Sequence, residues 1–166
     1  CLVCLQQTVE PILDLGSTAL ANKFLTEEEL AISEPRFPLK LGFCHECAHV
    51  QLTEIVPPGA MFEDYLYVSA ASDTLKAHLY DLSDIVVRRR ALRAADLVVD
   101  VGCNDGTLLA GFKRHNVRTL GVDPAENLAT LNGNADIERC VAFFNSDTAA
   151  RIAREWGQAS VITLTN

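Results

Sequence analysis

The chain is predicted to be an α/β protein with a partial parallel sheet of about four strands behind a small metal-binding domain. Three observations predict this. Strand-like and helix-like segments alternate from residue 96 onward. The first of those strands runs into a glycine turn, Asp100-Val101-Gly102-Cys103-Asn104-Asp105-Gly106. Two Cys-x-x-Cys pairs, Cys1/Cys4 and Cys44/Cys47, lie upstream.

Composition narrows the function classes. The 166 residues are 49% hydrophobic, enough for a real core in one ordinary or two small domains. The net charge of −8 argues against nucleic acid as a partner, because phosphate backbones are bound by basic clusters. Arg88-Arg89-Arg90 sits in a helical pattern and reads as a solvated face. No apolar run reaches the roughly 20 residues of a membrane span, and no signal peptide is visible. The expected compartment is the cytoplasm, with no membrane partner.

Residues 1–60 are rich in turns and proline and read as a zinc-binding domain. Phe37–Phe43 and His49–Leu52 are expected to form a hairpin with Cys44-His45-Glu46-Cys47 at its tip. Thr26 is placed to cap a short helix over Glu27–Leu30. Residues 61–95 read as a connecting segment and a helix. The segment 61–69 holds Tyr65 and Tyr67. The helix runs from about Ser72, its N-cap, to about Ala94, with Leu75, Leu79, Leu82 and Val86 on one face. Residues 96–166 hold the alternating part. Strands are expected at Leu97–Val101, Arg118–Val122, Cys140–Phe144 and Val161–Thr165. Helices are expected at Thr107–Arg114, Ala125–Leu131 and Asp147–Trp156, the last capped by Ser146. An apolar strand that ends at Asn166 would be an uncovered edge, so the chain reads as a fragment of a longer protein.

The two cysteine pairs suit one tetrahedral Cys4 zinc site. Four thiolates leave no open coordination position, so the ion is expected to be structural. His45 and His49 read as bystanders. Neither pair enters a helix after a strand, as a redox dithiol would.

The glycine turn specifies the kind of cofactor. A dinucleotide fingerprint needs Gly-x-Gly-x-x-Gly. Aligned on Gly102, the second and third positions are Asn104 and Thr107, so that register fails. The register acidic-x-Gly-x-Gly-x-Gly fits better, read as Asp100, Gly102, Asn104 and Gly106. Asparagine tolerates left-handed backbone where glycine is replaced. About 20 residues on, Asp123 ends a strand before Pro124, in position to accept from ribose hydroxyls or to cap the next helix. Phe144 and Asn145 follow the third strand at the same sheet edge and could meet an adenine. Asn166 ends the fourth strand beside the first. Cys103 reads as a small turn residue.

The acidic-x-Gly register resembles the first motif of class I S-adenosylmethionine (SAM)-dependent methyltransferases. The order of segments goes further. The cysteine pairs, Asp14–Asn22, Phe37-Pro38-Leu39, Cys47–Leu52, Asp64–Ser69, His78, Val101–Gly106 and Gly121–Pro124 together resemble the sugar C-methyltransferases of deoxysugar biosynthesis. That resemblance implies a zinc-binding domain ahead of a Rossmann-like SAM-binding domain. It implies methyl transfer to a carbon of a nucleotide-linked keto-sugar through an enolate, which needs a general base and stabilisation of the enolate oxygen. Cofactor contacts are expected from His78, Asp100, Gly102, Asn104, Asp105, Gly106, Asp123, Pro124, Phe144, Asn145 and Asn166. The resemblance places Tyr65 and Tyr67 near the active site as catalytic candidates, with the main base beyond Asn166. Without the resemblance, the tyrosines read as aromatic packing and His78 as an ordinary helix histidine. Two other readings stay open: a methyltransferase for another small molecule or RNA, and a non-catalytic zinc-dependent binding module.

Overall fold

The computed structural model describes residues 1–129 and 136–165. It divides into two compact units, Cys1–Met61 and Phe62–Asn166.

The first unit is a three-stranded antiparallel sheet of β1 (Val9–Thr18), β2 (Phe37–Cys44) and β3 (Val50–Leu52), in the order β1-β2-β3. The expected hairpin is β2 and β3, with Phe43 opposite Val50 and Leu41 opposite Leu52. β1 was not expected from the sequence. Pro11 and Gly16 interrupt its alternation, and its pairing with β2 shifts register twice. The expected helix at Glu27–Leu30 is only a single 3₁₀ turn, Glu29–Ala31. Its start is a reciprocal capping box: Glu29 N donates to Thr26 Oγ1, and Thr26 N donates to Glu29 Oε2. A short helix, α1 (Pro58–Phe62), spans the boundary in sequence between the units.

The second unit begins with a 3₁₀ turn at Ser69–Ala71 and the long helix α2 (Asp73–Arg90). Ser72 caps α2, its hydroxyl accepting from Leu75 N at 3.2 Å. The helix stops four residues short of the expected Ala94. Ala91 turns left-handed with φ 50°, and Leu92 N reaches back to Val87 O, a Schellman closure without glycine.

The elements β4 (Leu97–Val101), α3 (Thr107–Lys113), β5 (Arg118–Asp123), α4 (Glu126–Ala129), β6 (Arg139–Val141), α5 (Ser146–Glu155) and β7 (Val161–Leu164) follow. The four strands form one parallel sheet in the order β6-β5-β4-β7. Strand order reverses beside β4, the point at which open α/β sheets leave a crevice.

Coverage of both faces explains why β4 opens on the unbroken apolar run Leu97-Val98-Val99. Val98 packs with Leu79, Leu109 and Phe112 from α2 and α3. Leu97 and Val99 pack on the other face with Leu120, Val122 and Ile152. Full burial of such a side chain is worth about 2 kcal/mol. Part of the expected helix at Ala125–Leu131 lies outside the described residues. The strand expected at Cys140–Phe144 pairs only over Arg139–Val141. The cap of α5 is Asn145 rather than Ser146: its Oδ1 accepts from Thr148 N at 2.9 Å.

α2 and α3 meet at Gly111, where an added Cβ would stand 2.4 Å from Ser83 Oγ and 3.0 Å from Ser83 Cβ. Ser83 is fully buried, and its hydroxyl donates to Tyr80 O. Gly111→Ala is therefore expected to lower unfolding free energy by about 1–3 kcal/mol in urea titration. An unchanged midpoint would show that the helices are not held this close.

Candidate functional site

Among the described residues each unit carries one candidate site. In the first, the Sγ atoms of Cys1, Cys4, Cys44 and Cys47 lie within 4.8 Å of one another. Cys1 and Cys47 are 3.7 Å apart, and Cys4 and Cys44 are 3.5 Å apart. A tetrahedral zinc–thiolate site has sulfur–sulfur edges of about 3.8 Å, so the cluster fits the ion. The two knuckles are built alike. Leu5, after Cys4, and Ala48, after Cys47, are left-handed, with φ 61° and 57°. Leu5 N donates to Cys1 O, and Ala48 N donates to Cys44 O, closing each loop. Cys44 is pulled down to about 6, first by the Thr8 hydroxyl at 3.3 Å and also by the Cys47 and Glu46 N–H groups and Cys4, against the effect of burial. This favours the thiolate a metal requires. His45 instead pairs with Glu10, 2.7 Å away.

The second site is a cavity of about 570 Å³ at the carboxyl ends of all four parallel strands. β4 contributes Asp100 and the turn through Gly102 and Asn104; β5 contributes Asp123 and Pro124. Phe143 and Phe144 come from behind β6, and Thr165 from behind β7. Tyr65, Tyr67 and His78 line the side formed by the α2 region.

The turn explains its own residues. Gly102, Asn104 and Gly106 have φ of 71°, 50° and 81°. Asparagine thus holds the left-handed position where the motif's middle glycine would stand. An added Cβ at Gly102 would meet nothing within 4 Å, so this backbone borders open space in which a ligand can approach closely. Asp123 clips the turn shut: its Oδ2 accepts from Asn104 N at 2.8 Å and its Oδ1 from Ala125 N at 2.9 Å.

Asp100 is 1% exposed. Thr163 Oγ1 donates to it at 2.6 Å. Burial pushes the Asp100 carboxyl up to about 6; the Thr163 hydroxyl opposes this and the nearby Asp123 charge adds to it. Burial also pushes the Cys103 thiol up to about 12, against the pull of Arg139, so it stays protonated and unreactive.

Several expected site residues stand apart from the cavity wall. Asp105 and Gly106 lie behind it. Asp105 Oδ1 accepts from Thr107 N and Thr107 Oγ1, and its Oδ2 from Ala70 N, so its visible work is to brace the turn. Asn145 caps α5. Asn166 lies outside the described residues. Two residues escaped notice in the sequence. Arg139 Nη1 donates to Asn104 O at 2.6 Å, sealing the back of the turn. Asn127 binds the backbone of Tyr65 on both sides, at 3.1 and 2.8 Å. No local motif marks either one.

Residues 1–62 match the protein-family model described as "Putative zinc binding domain". Over 162 residues, 98% of its length, the chain is 33% identical to C-methyltransferase NovU of Streptomyces niveus. The similarity to that C-methyltransferase runs through nearly the whole chain. The chain spans 39% of that protein's length. A solved structure of Streptomyces venezuelae DesVI also matches, at 19% identity and a TM-score of 0.27, covering 53% of this chain and 28% of that one. The chain carries a four-cysteine cluster ahead of a four-stranded parallel sheet. Among the described residues, no helix is long and apolar enough to cross a membrane.

Proposed function

We propose that the second unit holds SAM, and that the chain is the cofactor-binding part of an enzyme that methylates a carbon of a nucleotide-linked keto-sugar. The observation that carries this is the convergence on one cavity of Asp100, open Gly102 and Asp123, each at the carboxyl end of β4 or β5. Its relatedness to a C-methyltransferase supports the transfer to carbon.

When bound, SAM supplies an electrophilic methyl group. The chain's own residues bind and orient it. Gly102 allows backbone contact, and Asp100 offers a dry carboxylate to an ammonium group. Each Asp123 oxygen is fixed by one N–H and keeps a lone pair for a ribose hydroxyl. Phe144, partly exposed, offers a ring face to a purine. A sugar carbon becomes nucleophilic only once a proton beside its carbonyl is removed. Tyr65 and Tyr67 are the acid–base candidates, because their side chains line the same cavity. Cys1, Cys4, Cys44 and Cys47 would hold zinc in a structural role.

Calorimetric titration of S-adenosylhomocysteine (SAH) into the zinc-loaded chain tests the reading. Saturable binding at one per chain is expected. A folded, metal-loaded sample that takes up neither SAH nor SAM would eliminate it.

A further inference from the structure

Residues 65–70 form a strap beside the cavity, and side chains from elsewhere hold its backbone. Asn127 Oδ1 accepts from Tyr65 N while its Nδ2 donates to Tyr65 O. Asn104 Oδ1 accepts from Ser69 N while its Nδ2 donates to Tyr67 O at 2.9 Å. Asp105 Oδ2 accepts from Ala70 N. Each asparagine therefore presents one acceptor and one donor to the strap's backbone, a match that needs an amide.

Both clamps meet at Asp123. One of its oxygens fixes Asn104 N, and the other fixes Ala125 N at the entry to the helix that bears Asn127. A ligand that engages Asp123 thus bears on the group that seats both clamps. Tyr65, Tyr67 and Ser69 of the strap line the same cavity.

We infer that Asn127 is a positioning residue: its amide fixes the Tyr65 end of the strap to α4, as Asn104 fixes the other end to the glycine turn, and so sets how tightly the cavity retains its ligand. The ligand half of this inference rests on the methyl-donor reading; the clamp half does not. Coupling of this kind is reciprocal, so ligand must tighten the strap as much as the strap tightens ligand.

The test compares the zinc-loaded wild-type chain with Asn127→Asp and Asn127→Ser. Asn127→Asp keeps the size and the acceptor but sets a carboxylate oxygen against Tyr65 O. Asn127→Ser guards against a folding defect in the first variant. Amide hydrogen exchange and SAH calorimetry are the readouts. In the wild type, SAH should slow exchange at Tyr65 and Ser69. In Asn127→Asp, exchange at Tyr65 should rise and SAH affinity should fall about tenfold, with the melting temperature little changed. A merely structural asparagine would leave affinity intact. Unaltered Tyr65 exchange in both variants overturns the clamp. Faster exchange with unaltered affinity overturns the coupling. If wild type binds no SAH, the methyl-donor reading and the coupling both fall, while Tyr65 exchange still decides the clamp.

Discussion

Chelation of zinc, or Cys44→Ser, is expected to unfold the unit Cys1–Met61 while the parallel-sheet unit stays folded. The reason is the unit's poverty of core. Within those residues only Gly42 and Cys44 are buried. Ile12, Leu13, Leu15, Val50 and Leu52, all on its strands, are exposed. A domain of this size without a packed interior needs a staple, and the thiol cluster is where one fits. Structural zinc in small domains carries apparent binding energies of about 10–16 kcal/mol, more than such a unit holds otherwise. In Cys44→Ser the knuckle also loses the ligand that Thr8 and two backbone N–H groups favour as a thiolate. Metal content by mass spectrometry should read one zinc per chain. Hydrogen exchange after chelation should then show protection lost from β1, β2 and β3 and retained in β4 and β5. Full protection of the first unit in metal-free protein would refute the staple.

What could be read in the sequence follows from how local the physics is. β4 and the cysteine knuckles are specified by neighbours a few residues apart. So are the α2 cap at Ser72 and the capping box at Thr26 and Glu29. β1 escaped because two bulges, Pro11 and Gly16 hide its period, and its partner strand lies far along the chain. The left-handed Leu5 and Ala48 gave no signal, since neither is the glycine or asparagine that usually marks such a turn. The cap of α5 fell one residue from the expected Ser146, on Asn145; the rule that names Ser146 a good cap names its neighbour equally. The strap was invisible for a different reason. Its clamps join side chains to backbone groups across long stretches of chain, and backbone groups leave no trace in composition. The glycine turn was legible as a left-handed turn after β4, but its bracing by Arg139 and Asp105 appears only in three dimensions.

Asp100→Asn is expected to make the second unit more stable at neutral pH and worse at holding its ligand. The buried carboxyl titrates at about 6 in the folded chain, against the ordinary 3.8. Between those values the folded state binds more protons than the unfolded state. The contribution of Asp100 to stability is therefore fully present below about pH 4, is lost as pH rises through about 6, and stays lost above that. The cost at pH 7 is on the order of 2–3 kcal/mol. An asparagine carries no charge to desolvate, and its oxygen can still accept from Thr163 Oγ1. Urea titrations from pH 4 to 8 should show a decline in wild type that is absent in Asp100→Asn. Ligand binding should run the other way. The ammonium group of SAM or SAH needs the ionised carboxylate, so wild-type affinity should rise about tenfold from pH 5 to 7 and level off. In Asp100→Asn affinity should be low and flat with pH. A wild-type chain whose stability does not fall between pH 4 and 6 would mean that Asp100 is not buried as described. Affinity that ignores pH while stability responds would mean that the carboxylate faces no cation, and Asp100 would then be a cost to the fold without a use in the cavity.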